Sequence, residues 1–167
     1  KGDIYKVSAE GGKAVQLTTQ DSYESSPVWS PDGKQIAFAS NRYGTSDLFI
    51  MNADGGEAKR LTCRSVSEVP SAFTPDGKYV LFSAAIQDPA ESALNPVGAL
   101  TELYRVPVTG GRTEQVLGTP AEMVSFSEKG DFFLYQDRKG FEDEWRKHHT
   151  SSITRDVWKY DVATGKH

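Results

Sequence analysis

Residues 138–155, RKGFEDEWRKHHTSSITR, hold the densest run of reactive side chains in the chain. Five cations (Arg138, Lys139, Arg146, Lys147, Arg155) stand against three acids (Glu142, Asp143, Glu144), giving a local +2 in an acidic protein. Two of the three histidines, His148 and His149, are here as well. Several chemistries compete for these residues. Paired histidines can ligate a metal, but His148-His149 lack the i, i+4 or Cys/His spacing of a zinc site. Glu142 or Asp143 beside His148 has the residue types for acid–base work, yet charges paired in a loop usually form a solvated network. Ser151 and Ser152 lack the G-x-S-x-G frame of a nucleophile elbow. Arginine forks can hold a carboxylate through paired N–H bonds, which suits a peptide C-terminus or an acidic side chain. Against all of these stands a loop tied down by its own ion pairs and by Phe141 and Trp145. Arg138, Lys139, Arg146, Lys147, His148, His149 and Arg155 are therefore the candidates for contact with a peptide or protein ligand. No catalytic residue, metal site or cofactor is expected.

The elements that must position this run repeat. SPVWSPDGKQIAFAS (26–40), PSAFTPDGKYVLFSA (70–84) and MVSFSEKGDFFLYQD (123–137) are three versions of one phrase. Each belongs to a unit carrying an acidic–apolar–aromatic triplet: Asp3-Ile4-Tyr5, Asp47-Leu48-Phe49, Glu102-Leu103-Tyr104 and Asp156-Val157-Trp158, spaced by 44, 55 and 54 residues. Such a period signals a repeat architecture. Each unit breaks into four short apolar runs divided by turns. In Pro31-Asp32-Gly33 the proline presets φ, the aspartate bonds nearby backbone, and the glycine supplies positive φ. Gly11-Gly12, Gly55-Gly56 and Gly110-Gly111 mark a second turn per unit. Two hairpins per unit and no capped 3.6 period predict an all-β fold built from four-stranded antiparallel propeller blades. The recurrent aromatics, Trp29/Phe73/Phe126, Phe38/Phe82/Tyr135 and Tyr5/Phe49/Tyr104/Trp158, are expected to fill the space between sheets.

This reading divides the chain into the end of a blade (1–18), a blade at 24–62, a blade at 68–117 with an insertion at 85–101, and an incomplete blade at 121–167 with an insertion at 138–155. That makes thirteen strands, 2 + 4 + 4 + 3. Two full blades and two partial ones do not close a ring, so the chain is expected to be part of a larger propeller and to self-associate when alone. Both insertions join the second strand of a blade to the third. They share a face opposite the two tight turns, and that face is where binding is expected. The first insertion is mildly apolar and carries two prolines, which suits a loop packed over the blade edge.

Length and composition bound the rest. The 167 residues carry a net charge of −4, which gives no reason to expect nucleic acid. No apolar run reaches membrane-spanning length, so no membrane insertion is expected. The single cysteine, Cys63, excludes an internal disulfide and is expected to be buried or in a loop.

The units GDIYKVSAEGGKAVQLT, SPVWSPDGKQIAFASNR and SDLFIMNADGGEAKRLT resemble the propeller repeats of TolB and of tricorn proteases. The segment GFEDEWRKHHTSSITRDVWKYD is more specific and resembles the amino-terminal propeller of bacterial tricorn-like serine proteases. That resemblance implies a parent carrying a PDZ-like module and a serine protease region, neither of which lies in these residues. It implies a non-catalytic segment that guides or binds peptide substrates, in a periplasmic or secreted setting. The rival readings are a TolB-like protein–protein interaction scaffold and the propeller of a prolyl-oligopeptidase-like hydrolase.

Overall fold

The structure, a computed structural model, describes residues 2–86, 101–137 and 155–167. It is all-β, and no helix occurs among the described residues. A short hairpin, β1 (Tyr5–Lys6) with β2 (Val15–Gln16), precedes a four-stranded sheet of β3 (Glu24–Trp29), β4 (Gln35–Tyr43), β5 (Thr45–Asn52) and β6 (Lys59–Arg60). A second sheet runs β7 (Glu68–Phe73), β8 (Tyr79–Ala84), β9 (Glu102–Pro107), β10 (Glu114–Phe126), β11 (Phe132–Asp137) and β12 (Val157–Asp161). Every strand pairs antiparallel with its sequence neighbour within its sheet, the up-and-down pattern of propeller blades. The curled, all-antiparallel arrangement is that of a β-propeller fragment.

The turns form as their residues dictate. In the first phrase the Asp32 carboxylate accepts from the Ser30 hydroxyl at 2.7 Å and from the Lys34 N–H at 3.1 Å. Thr74 and Asp76 repeat this at 2.6 Å, with the Lys78 N–H at 3.1 Å. Gly33, Gly77 and Gly130 hold φ of 68°, 69° and 71°, a left-handed conformation that penalises a Cβ. In the third phrase the aspartate has moved to Asp131, where it accepts instead from Ser127 and from its own neighbour Phe132 N–H.

Strand count departs from the expected thirteen: the described residues form twelve. The last strand of the 68–117 unit and the first strand of the next run on as one 13-residue strand, β10. Its first half pairs with β9 (Glu114↔Arg105, Pro120↔Glu102) and its second half with β11 (Ala121↔Asp137, Phe126↔Phe133). Pro120 lacks an N–H, and at that residue β10 passes from one partner strand to the other.

Three apolar clusters lie between successive repeat units, the third of them within the six-stranded sheet. Ile4 and Leu17 of the hairpin pack on Ile36, Phe38, Phe49 and Met51. Leu48, Ile50 and Leu61 meet Phe73, Val80, Phe82 and Tyr104. Leu81, Leu103 and Leu117 meet Val124, Phe133 and Tyr135. Stacked rings at 5.9 Å (Phe38–Phe49) and 5.8 Å (Phe82–Tyr104) knit second strands to third strands. Each fully buried phenylalanine contributes about 1.5–3 kcal/mol. The expectation that all recurrent aromatics are core holds at Phe38, Phe49, Phe73, Phe82, Tyr104 and Tyr135 and fails at Tyr5, Trp29 and Trp158, which are exposed. Tyr5 and Trp29 (51% exposed) lie where only the two-stranded hairpin adjoins the first sheet. Trp158 lies on β12, the edge strand of its sheet.

Candidate functional site

The pairing register puts the starts of β3 and β7, the ends of β4 and β8, and the starts of β5 and β9 at one end of the blades. The tight turns lie at the other end. The described stubs of both insertions, Ala85-Ile86, Thr101 and Arg155, leave from the first of these ends.

A cavity of about 510 Å³ opens there, lined by residues of three successive first strands. Ser26 of β3, Val69, Pro70 and Ser71 of β7, and Glu122, Met123 and Val124 of β10 face it, together with Ser83 and Thr101. Ser26, Pro70 and Met123 occupy the same repeat position, three residues before Trp29, Phe73 and Phe126. The ladder is interrupted at or directly after each of them, between Ser25 and Val28, Pro70 and Ala72, and Glu122 and Ser125. Ser26 and Met123 have φ of 52° and 55°, the only positive values at non-glycine residues among those described. Such strain costs on the order of 1 kcal/mol per residue and gathers at binding and active sites. The bulges turn side chains toward the cavity, and Met123 is left 70% exposed.

Around this end lies a set of carboxylates that the sequence reading did not single out. Glu24 has no exposed side-chain surface. It accepts from Ser22 Oγ at 2.5 Å, from Ser40 Oγ at 3.2 Å and from Arg42 Nη2 at 3.1 Å. The Arg42 guanidinium lies 4.3 Å from the Phe49 ring centroid, which fixes it further. One repeat later Glu68, also fully covered, accepts from the Thr62 hydroxyl, while Arg64 Nε stands 3.8 Å away. Thr62 Oγ1 in turn accepts from the Leu48 N–H at 2.9 Å, so Glu68 clamps the connection arriving from the preceding blade. Buried Asp47 pairs with Arg60 at 2.6 Å. Burial pushes the Glu68 carboxyl up to about 7, helped by nearby Asp47 and opposed by the Thr62 hydroxyl and Arg64. The signal for this pair was present in the chain: Leu17-Thr18 and Leu61-Thr62 each precede a glutamate by six residues from the threonine. In the third unit Ala121 takes that position, pairing with Asp137 as Glu24 pairs with Ser40, and the acid stands one residue on, at Glu122.

Of the sequence-derived candidates, Arg138, Lys139, Arg146, Lys147, His148 and His149 lie outside the described residues. Arg155 lies within them. Its Nη1 donates to Glu122 Oε2 at 3.0 Å and to Gln136 Oε1 at 3.1 Å. Glu122 Oε1 accepts from Thr101 Oγ1 at 2.9 Å. Glu122 thus ties the end of one insertion (Thr101) to the end of the other (Arg155). Arg155 is thus paired within the described residues, with part of its side chain exposed. Among the described residues no group of three His, Cys, Asp or Glu side chains could hold a metal ion. Cys63 is an exposed loop thiol.

The cavity and bulged strands invite comparison with known propellers. A putative TolB from Agrobacterium tumefaciens superposes with a TM-score of 0.71 at 23% identity, covering 98% of this chain and 54% of that one. TolB from Acinetobacter baumannii gives 0.69 at 20% identity, over 98% and 36%. The tricorn protease gives 0.68 at 22% identity, over 98% and 16%. The chain therefore spans about half the length of the first of these structures and less of the others. These likenesses show the shared fold. No curated protein sequence matches the chain. The model of the tricorn protease N-terminal β-propeller domain matches residues 1–167, end to end, and the chain belongs to that family.

Proposed function

We propose that this chain is a non-catalytic propeller segment of a tricorn-like peptidase that binds or guides unfolded peptides at the end of the blades where the insertions leave. The observation that carries the reading is the 510 Å³ cavity formed by bulged first strands beside the stubs of both insertions, in a chain of the tricorn propeller family. Its lining suits an extended peptide: Val69, Pro70, Met123 and Val124 offer apolar contact, and Ser26, Ser71, Ser83 and Thr101 offer hydroxyls. β3 and β7 each end their sheet, so each has an edge that no strand pairs among the described residues. A periplasmic or secreted setting accompanies this reading.

The test is fluorescence anisotropy of labelled unstructured peptides with the full-length protein and with Val69→Asp and Met123→Asp variants. Both positions are exposed, so the fold should tolerate the changes. Peptide binding that weakens roughly tenfold in the variants supports the reading, because a charge then faces an apolar contact. Binding unchanged in both removes the cavity from the peptide path. Absence of peptide binding by the wild type favours the TolB-like interaction scaffold. An Arg146→Ala/Lys147→Ala variant, compared with Arg155→Ala, separates ligand contact from anchoring. Arg155→Ala should lower stability, because it removes the pairing with Glu122 and Gln136.

A further inference from the structure

We propose that the outer seam between the 24–62 blade and the blade that follows is a binding site for a small oxyanion, of the phosphate or dicarboxylate class. A cavity of about 570 Å³ lies there, between β6 with its following loop and the hairpin that leads to β10. Three guanidinium-bearing residues, Arg60, Arg64 and Arg112, line it, and no carboxylate does. This is unusual placement in a chain with net charge −4.

Two of the three arginines are already held in place. Arg60 is fixed by Asp47 at 2.6 Å and lies 4.8 Å from the Tyr43 ring centroid. Arg64 reaches across the seam to the Thr113 hydroxyl and is steadied from behind by Glu68 at 3.8 Å. The facing hairpin is pinned as well, since Lys59 Nζ donates to Thr109 O at 2.5 Å. Arg112 is exposed and has no acceptor among the described residues. The carboxyl partners Asp47 and Glu68 are buried behind the rim, so the surface that solvent meets is cationic. Planar guanidinium forks match the paired oxygens of carboxylates and phosphates. Preorganised cations around a concave site lose little side-chain freedom on binding. The thiol of Cys63 also lines this cavity and is exposed, which provides a local reporter.

The experiment measures the rate at which Cys63 reacts with a dianionic aromatic disulfide and with a neutral dipyridyl disulfide. The ratio of the two rates is compared between the folded protein and the same protein in urea. Folding should raise the anionic-to-neutral ratio at least about fivefold, because the cationic cavity concentrates the anionic reagent. Inorganic phosphate or succinate should then return the ratio toward the unfolded value, and sodium chloride at matched ionic strength should do so much less. Whichever of the two competes at lower concentration identifies the preferred class. Arg112→Gln, an exposed change without structural partners, should abolish most of the enhancement, while Arg112→Lys should retain the charge effect and lose much of the competition. A ratio no higher in the folded protein than in urea overturns the proposal. So does competition by chloride equal to that by both oxyanions.

Discussion

Glu68 shows how a single side chain can couple blade packing to pH. Its carboxyl titrates near 4.3 in an unfolded chain and at about 7 in the fold, where burial disfavours the charge. A raised carboxyl pKa means the native state holds the proton more firmly. This group's contribution to stability is complete below about pH 4 and is lost as the pH climbs through 7. At roughly 1.4 kcal/mol per unit the difference amounts to about 4 kcal/mol at most. Glu68→Gln retains an acceptor for Thr62 without the charge. It should match the wild type at pH 4 and exceed it by about 3 kcal/mol at pH 8 in urea unfolding. An equal gap between the two proteins at both pH values would refute this account of Glu68. Neither Glu24 nor Glu68 stands out in the sequence, because a lone glutamate beside serines resembles surface. Only the recurring Leu-Thr six residues upstream marks them, and its meaning depends on a neighbouring blade being in place. The charged run at 138–155 was conspicuous for the opposite reason, being dense and unrepeated. The one member described, Arg155, is occupied by Glu122 and Gln136.

At the scale of strands, the bulges at Ser26 and Met123 break a local rule, since a long unbranched side chain rarely takes positive φ. Met123→Gly should relieve that strain and raise stability by about 0.5–1 kcal/mol, while Met123→Val should lower it by a similar amount or more. Thermal unfolding of both variants decides the matter, and the same order of effect for the two would exclude strain as the cause. Within the sheets, Phe82→Ala removes a ring buried between blades and stacked on Tyr104, with an expected loss of about 3–5 kcal/mol. A loss under about 1 kcal/mol by urea unfolding would show that the second inter-blade cluster is slack. Turns and most strand positions were legible, because Pro-Asp-Gly and Gly-Gly state their dihedral requirements directly. The continuity of β10 was not. Gly118-Thr119-Pro120 reads as a break, and only pairing to two different partners keeps the backbone extended through it.

For the molecule as a whole, the blade architecture was readable from repetition alone, whereas the burial of its aromatics was not. Repetition predicts that each position meets a neighbour, and at Tyr5, Trp29 and Trp158 the described sheets supply none. Tyr23 and Val157 are exposed beside them, so apolar surface flanks both outer sheets. The 167-residue chain by itself is expected to associate. Light scattering over a concentration series should give a mass above the monomer that falls in a Trp29→Lys/Trp158→Lys variant. A monomer at all concentrations would refute the expectation. The seams between blades also differ in kind. One is crossed by a loop, residues 61–67, and another by residues 17–23, but the last is crossed by a single strand whose first half pairs with one blade and whose second half pairs with the next. A loop lets its two flanking sheets tilt at the cost of a few dihedrals, whereas β10 stays extended through the point at Pro120 where its partner changes. The first two joints of this assembly are therefore expected to open more readily than the last, where an unbroken extended backbone joins the two blades.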